Sequence, residues 1–262
     1  MKMKQITNWA MYFMSVLMPA VVILILNLPL YASETDNRIE SATENSFVFK
    51  TYLKDDDIKV ESKDGIVTLA GSVTDESHKS LAQETVAGLP EVKRVDNRLV
   101  VENRAQDPDA WLSTKVKTSL LFHKNVSSLH TDVDVREGIA ILRGEAESEA
   151  QKELTTQYVK EVEGVKDVKN EMVVSNNSKK PNESLGETID DASITAQVKT
   201  TLLFHKATSA INTKVETNNG VVTLKGKARN NAEKDLVSKL VEDIHGVKNV
   251  VNKMTIEQSK ND

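Results

Sequence analysis

Five histidines, no cysteine and a 28% share of charged residues are what this 262-residue chain has for chemistry. Two of the histidines sit in matching sequence, Leu120-Leu121-Phe122-His123-Lys124 and Leu202-Leu203-Phe204-His205-Lys206. As metal ligands they lack a second His, a Cys or clustered carboxylates at ligand spacing. Together with the lysine that follows each, they read instead as cationic groups at the negative C-terminal end of a helix. Asp55-Asp56-Asp57 could attract a hard cation, but it lacks the alternating spacing and distant glutamate of a calcium loop and reads as a solvated acidic turn. No nucleophile elbow or oriented acid–base pair is present, so no catalytic residue and no cofactor or metal site is assigned and the chain reads as a non-enzyme.

Charge gives a stronger lead. Residues 36–102 carry 9 Lys+Arg against 14 Asp+Glu, residues 109–174 carry 9 against 12, and residues 189–257 carry 10 against 8. In the last stretch Lys225, Lys227 and Arg229 alternate, so that on a strand all three can point to one face. The corresponding earlier positions are Arg143, Glu145 and Glu147. A lysine beside an anionic leaflet is worth about 1 kcal/mol, so a few together give weak, reversible attachment to anionic phospholipid. The alternative reading is a solvated edge whose charges discourage pairing between molecules.

These residues hang on a repeat. Gly65-Ile66-Val67-Thr68-Leu69-Ala70-Gly71 recurs as Gly138 to Gly144 and as Gly220 to Gly226, each a short apolar run between two glycines, as expected of a strand bounded by turns. Gly65, Gly138 and Gly220 suit a hairpin turn at positive φ; Gly71, Gly144 and Gly226 either end the strand or admit a closely packed helix. A phosphate cradle needs glycines clustered before a helix, so all six are read as structural.

From residue 109 to 174 and from 191 to 256 the chain superposes at a constant shift of 82 with about four positions in ten identical. Each complete unit reads as helix, strand, strand, helix, strand. Leu112, Val116 and Leu120 form one helical stripe, Val133 and Val135 alternate as on a half-buried strand, and Ser148 caps a second helix. That second helix buries Ala150, Leu154, Tyr158 and Val162, matched by Ala232, Leu236, Leu240 and Ile244. In the first unit Phe49-Lys50-Thr51 is matched to Val116-Lys117-Thr118, which leaves some six residues missing and a shortened first helix, and residues 33 to about 45 read as loose. The fold class is α+β: three small sheets, each with two helices on one face and the other face exposed or shared with a neighbouring unit.

Met1-Lys2-Met3-Lys4 followed by an uncharged run from Trp9 to Leu30 reads as a signal peptide over 1–32, cleaved after Ala32; the run is also long enough to stay as an inner-membrane anchor. The domains expected are 36–102, 107–175 and 189–257, with 176–188 as a linker. Without the signal the chain carries a net −7, which argues against nucleic acid as a partner.

The pattern Gly-[Ile/Val]-x-x-Leu-x-Gly, then a helix, then Gly-Val-Lys-x-Val-x-Asn at 164–170 and 246–252 resembles the BON domain, a bacterial envelope module. The second and third units match along their length, and the first from Ile58 to Val101. The resemblance implies three tandem αββαβ modules, a periplasmic address and no catalysis. It also implies a role in envelope integrity under osmotic stress and, for some members, phospholipid binding, with modules in one protein functionally unequal. Other envelope proteins, met in a chaperone-like manner through exposed sheet faces, are an alternative partner, and a cation bound within a module is another.

Overall fold

The computed structural model describes residues 34–102, 108–126, 128–175, 189–208 and 213–256. The expected signal peptide and the 176–188 linker lie outside the described residues.

Each module is built the same way. The first contains α1 (Glu34–Asn45), α2 (Phe47–Thr51), β1 (Asp57–Lys63), β2 (Ile66–Val73), α3 (Glu76–Ala87), β3 (Arg94–Asn97) and β4 (Val100–Val101). The second contains α4 (Pro108–Phe122), β5 (Thr131–Arg136), β6 (Ile139–Ala146), α5 (Glu149–Lys160), β7 (Asp167–Asn170) and β8 (Val173–Val174). The third contains α6 (Asp191–Phe204), β9 (Thr213–Asn218), β10 (Val221–Ala228), α7 (Asn231–Glu242), β11 (Asn249–Asn252) and β12 (Thr255–Ile256). The glycine-bounded strand is central in every sheet: β6 pairs antiparallel with β5 and parallel with β7 and β8, and β2 and β10 do the same. This is the expected α+β fold, with the last strand broken in two.

The break comes from the motif asparagine. The Asn170 amide donates to the Lys152 carbonyl (2.8 Å) and to Thr156 Oγ1 (2.7 Å) on α5, and its Oδ1 accepts the N–H of Met172 at 2.9 Å. Asn97 and Asn252 do the same against α3 and α7. Each interrupts the strand for two residues, the first still donating its N–H to the central strand and the second burying its side chain as Leu99, Met172 or Met254. The pattern residue is therefore a strap between strand and helix.

The core falls where the first-helix stripe and the β5 alternation place it: Leu112, Val116, Leu120, Val133 and Val135 are buried against Ala140 and Leu142. On the second helices the expected stripe holds only in part: Val162, Leu240 and Ile244 are buried. Ala150 and Ala232 are exposed, while Thr155, Val159, Val237 and Val241 turn inward and Leu154, Tyr158 and Leu236 lie at the margin. Val162 and Ile244, just past these helices, lie in their own modules' cores while their backbones bridge to His205 and His123.

The first module corrects the sequence reading most. Residues 34–45 are helical, with Asp36, Ile39 and Thr43 buried. Asp36 corresponds to Asp109, Gly65 to Gly138, Gly71 to Gly144 and Asn97 to Asn170, an offset of 73 with no gap. Phe49 thus matches Phe122, and no six-residue loss exists. The first helix is broken rather than short: Ser46 takes extended dihedrals and caps α2, its Oγ accepting from Phe49 N–H.

The two glycine types also separate. Gly65, Gly138 and Gly220 take φ of 78°, 82° and 79° in the hairpin turns, as expected. Gly71 and Gly144 neither end the strand nor face a helix. β2 and β6 run on through them, and a Cβ would stand 2.0 Å from the Asp57 carbonyl oxygen and 1.8 Å from that of His130. The close neighbour is backbone of the preceding strand's entry, which only glycine tolerates.

Candidate functional site

Two places gather polar side chains: the outer sheet face of the third module and the seam between the second and third modules.

On the outer face, burial alternates along β10 so that Val222, Leu224 and Ala228 point inward and Lys225 and Lys227 outward. Lys214 of β9 is the cross-strand partner of Lys225 and therefore stands on the same face. Lys225 Nζ pairs with Glu216 Oε2 at 2.6 Å. The Lys225 hydrogen bond and charge, with Lys214 and Lys253 nearby, hold the Glu216 carboxyl below its usual range. Lys227 is exposed. Three lysines thus stand around one carboxylate, with Lys227 further along the same face. Sequence reading missed Lys214 and Lys253, because strand register, which alternation along one strand does not reveal, brings Lys214 in. In the second module these places hold Asp132, Asp134, Arg143, Glu145 and Glu171, with Arg143 paired to Glu171 at 3.0 Å.

Arg229 does not join this face. It follows the strand, and its guanidinium bonds the Glu233 carboxylate at 3.2 Å and the Ala207 carbonyl at 2.8 Å. Burial raises the Glu233 pKa, but the bonds from Arg229 outweigh it and leave the group below its usual value.

The seam is made by the two Leu-Phe-His-Lys stretches. Lys124 N–H donates to the Asp243 carbonyl (2.9 Å) and His245 N–H to that of Phe122 (3.0 Å). At positions 82 apart, Lys206 N–H donates to Glu161 (2.8 Å) and Glu163 N–H to Phe204 (2.7 Å). Homologous edges therefore pair reciprocally, as in an isologous dimer. Lys124 Nζ donates to the Glu242 carbonyl at the end of α7, and Lys206 Nζ to that of Lys160 at the end of α5. The lysines do meet a helix C-terminus, but in the neighbouring module rather than their own. The first module cannot pair this way, because Pro90 stands where Glu163 and His245 offer an N–H. It docks on α6 instead, with Phe47 N–H on Asp190 (2.7 Å), Val48 N–H on Ser193 Oγ (3.0 Å) and Lys199 on Glu84 (2.7 Å).

His123 is buried, its Nδ1 3.2 Å from Asp243 Oδ2, and its ring stacks on Tyr158 at 3.9 Å. Tyr158 donates its hydroxyl to Asp243 at 2.6 Å, and Asn125 donates to the other oxygen. Burial raises the Asp243 pKa, yet His123 and the Tyr158 hydroxyl outweigh it and hold the carboxyl below its usual value. His205 Nδ1 accepts the Ala207 N–H at 3.1 Å, and its Nε2 stands 3.9 Å from the Glu161 carboxylate. Neither histidine is a metal ligand set, and among the described residues no group of three or more His, Asp or Glu could hold a metal.

The acidic triplet is split. Asp56 accepts from Thr74 N–H (2.8 Å) and Oγ1 (2.9 Å) and pairs with His78 at 2.6 Å, while Asp57 begins β1. Among the described residues no helix is long and apolar enough to cross a membrane.

Comparison with known proteins fits this architecture. The BON-domain family matches three times, at residues 35–103, 108–176 and 190–258. Osmotically-inducible protein Y of Escherichia coli K12 is 31% identical over 144 residues, 55% of this chain and 70% of that protein. An uncharacterised protein of Anaplasma centrale, encoded in the gshII 5′ region, is 30% identical over 152 residues, 58% of this chain and 97% of that one. CdsD, a structural protein of the Chlamydia trachomatis type III secretion system, aligns over 86% of this chain and 92% of its own at 16% identity, but a TM-score of 0.24 is too low to bear on the fold. Three BON matches over most of the chain, each on one helix–hairpin–helix–strand module, place this protein in the BON-domain family, related to osmotically-inducible protein Y.

Proposed function

We propose that this is an exported, periplasmic, non-enzymatic protein of the osmotic-stress class whose third module attaches reversibly to anionic phospholipid surfaces. The observation that carries the reading is the placement of Lys214, Lys225 and Lys227 on one sheet face, with Lys253 near the same Glu216, where the second module carries mostly carboxylates. Lysines at a charged leaflet contribute additively and weakly, which suits reversible attachment. Arg229, bound to Glu233, takes no part. The kinship with an osmotically inducible protein supports the stress setting, and the uncharged run near the N-terminus supports export. Binding of the full chain to anionic vesicles, with the lysines reversed in charge, tests the reading.

A second reading has its own observation. Val100 and Val173 are 62% and 65% exposed at corresponding edge positions in modules one and two, and such side chains could contact other envelope proteins. Salt separates the two, because lysine-driven attachment weakens with ionic strength and apolar contact does not.

A further inference from the structure

The seam between modules two and three contains His123, His205 and His245, three of the five histidines in the chain. Its halves pair the same backbone positions, but the surrounding side chains differ. Around His123 stand Asp243, Tyr158 and Asn125; the corresponding neighbours of His205 are Glu161, Leu240 and Ala207.

The difference decides where a proton can go. His123 Nδ1 stands 3.2 Å from the Asp243 carboxylate, with the Tyr158 ring stacked on it. His205 Nδ1 accepts a hydrogen bond from the Ala207 N–H at 3.1 Å, so that nitrogen carries no proton and the neutral ring holds its proton on Nε2. Nε2 has no hydrogen-bond partner among the described residues, and the Glu161 oxygen at 3.9 Å belongs to a half-exposed side chain. An added proton must enter at Nδ1. It breaks the Ala207 bond and places a cation in a buried position between Lys206 and the His123 side of the seam. The two backbone bonds of this half, Glu163 to Phe204 and Lys206 to Glu161, flank the ring directly.

We propose that His205 is an acid-operated latch: protonating its ring releases the half of the seam formed by residues 204–206 and 161–163, and the half around His123 and Asp243 outlasts it. The facing charges agree. Burial holds the His205 ring below the ordinary 6.5, Glu161 opposes this, and His123 and Lys206 add to it. A ring whose pKa is lowered on folding contributes stability in full above 6.5 and loses it as pH falls through the folded value. His245, in the other half, is also lowered by burial and by Lys124 and His123, but there Asp243 offsets the charge.

Amide hydrogen exchange on the full chain, corrected for intrinsic pH dependence, tests this. Between pH 7.5 and 5.5 protection at Glu163 and Lys206 should fall, by up to about tenfold for a single ring of ordinary value 6.5, with Lys124 and His245 falling less, and His205→Asn should remove the fall at Glu163 and Lys206. Unchanged protection in the wild type, or the same fall in the variant, overturns the proposal. Should the variant not fold, nitrogen chemical shifts of the wild-type ring decide. The latch requires an Nε2–H tautomer at neutral pH titrating below 6.5, and an Nδ1–H tautomer or a midpoint at or above 6.5 contradicts it.

Discussion

Asp191 Oδ1 accepts the Gly220 N–H at 2.8 Å while its Oδ2 accepts that of Asn219 at 2.7 Å, so one carboxylate at the start of α6 clamps the β9–β10 turn. Asp109 does this for Glu137 and Gly138, and Asp36 for Asp64 and Gly65. The clamp occurs in every module and spans 28 or 29 residues each time. Asp191→Ala leaves two turn N–H groups without their acceptor and should destabilise the third module by about 1–3 kcal/mol, read from urea unfolding.

Gly144→Ala should be much worse than Gly138→Ala. At Gly138 a Cβ meets only the flexible end of Lys166 at 3.1 Å, and the left-handed φ costs about 1–2 kcal/mol. At Gly144 it meets a fixed carbonyl at 1.8 Å, so strain and displacement together should exceed about 3 kcal/mol. Equal thermal shifts for the two variants would rule out the backbone-contact explanation.

Glu91 adopts φ 68°, a conformation its glycine counterparts Gly164 and Gly246 reach without penalty, and Arg38 holds its carboxylate at 3.0 Å. In an Arg38→Ala background, where that ion pair is gone, Glu91→Gly should stabilise the first module by about 1 kcal/mol. Loss of stability there would mean Glu91 has a role beyond the turn.

Tyr158→Phe should shift acid sensitivity in a defined direction. Asp243, held below its usual 3.8, stabilises the seam above that pH, and the contribution disappears as pH falls through the folded value. Without the Tyr158 donor the folded value rises, so acid loss of the seam should begin at higher pH. A titration followed by fluorescence transfer between modules two and three would register the change.

Much of the module was visible in the chain because it rests on periodicity: the strand between two glycines, the Leu112–Val116–Leu120 stripe, the hairpin turns. What stayed hidden depends on contacts distant in sequence. The Asp191 clamp joins residues 28 and 29 apart, and the seam is built from backbone N–H and C=O groups that carry no side-chain signature. Its one legible sign was the repeated Leu-Phe-His-Lys, and the expected cations at a helix end turn out to be the lysines alone, on the neighbouring module's helix. The first module was misaligned because Phe49-Lys50-Thr51 resembles Val116-Lys117-Thr118 locally, whereas Asp36 and Gly65 fix the register. On the candidate lipid face, Lys225 and Lys227 followed from alternation; Lys214 required the cross-strand pairing, and Arg229 fell beyond the strand end.

Co-sedimentation of the full chain with vesicles of anionic or of purely zwitterionic phospholipid, at low and at high salt, tests lipid attachment most directly. Binding should be confined to anionic vesicles, fade as ionic strength rises, and be lost in the variant with Lys214, Lys225, Lys227 and Lys253 all changed to Glu, while Arg229→Glu retains most of it. Binding that is indifferent to salt and survives the fourfold reversal, or an absence of binding to anionic vesicles at low salt, would contradict the third module's assigned role.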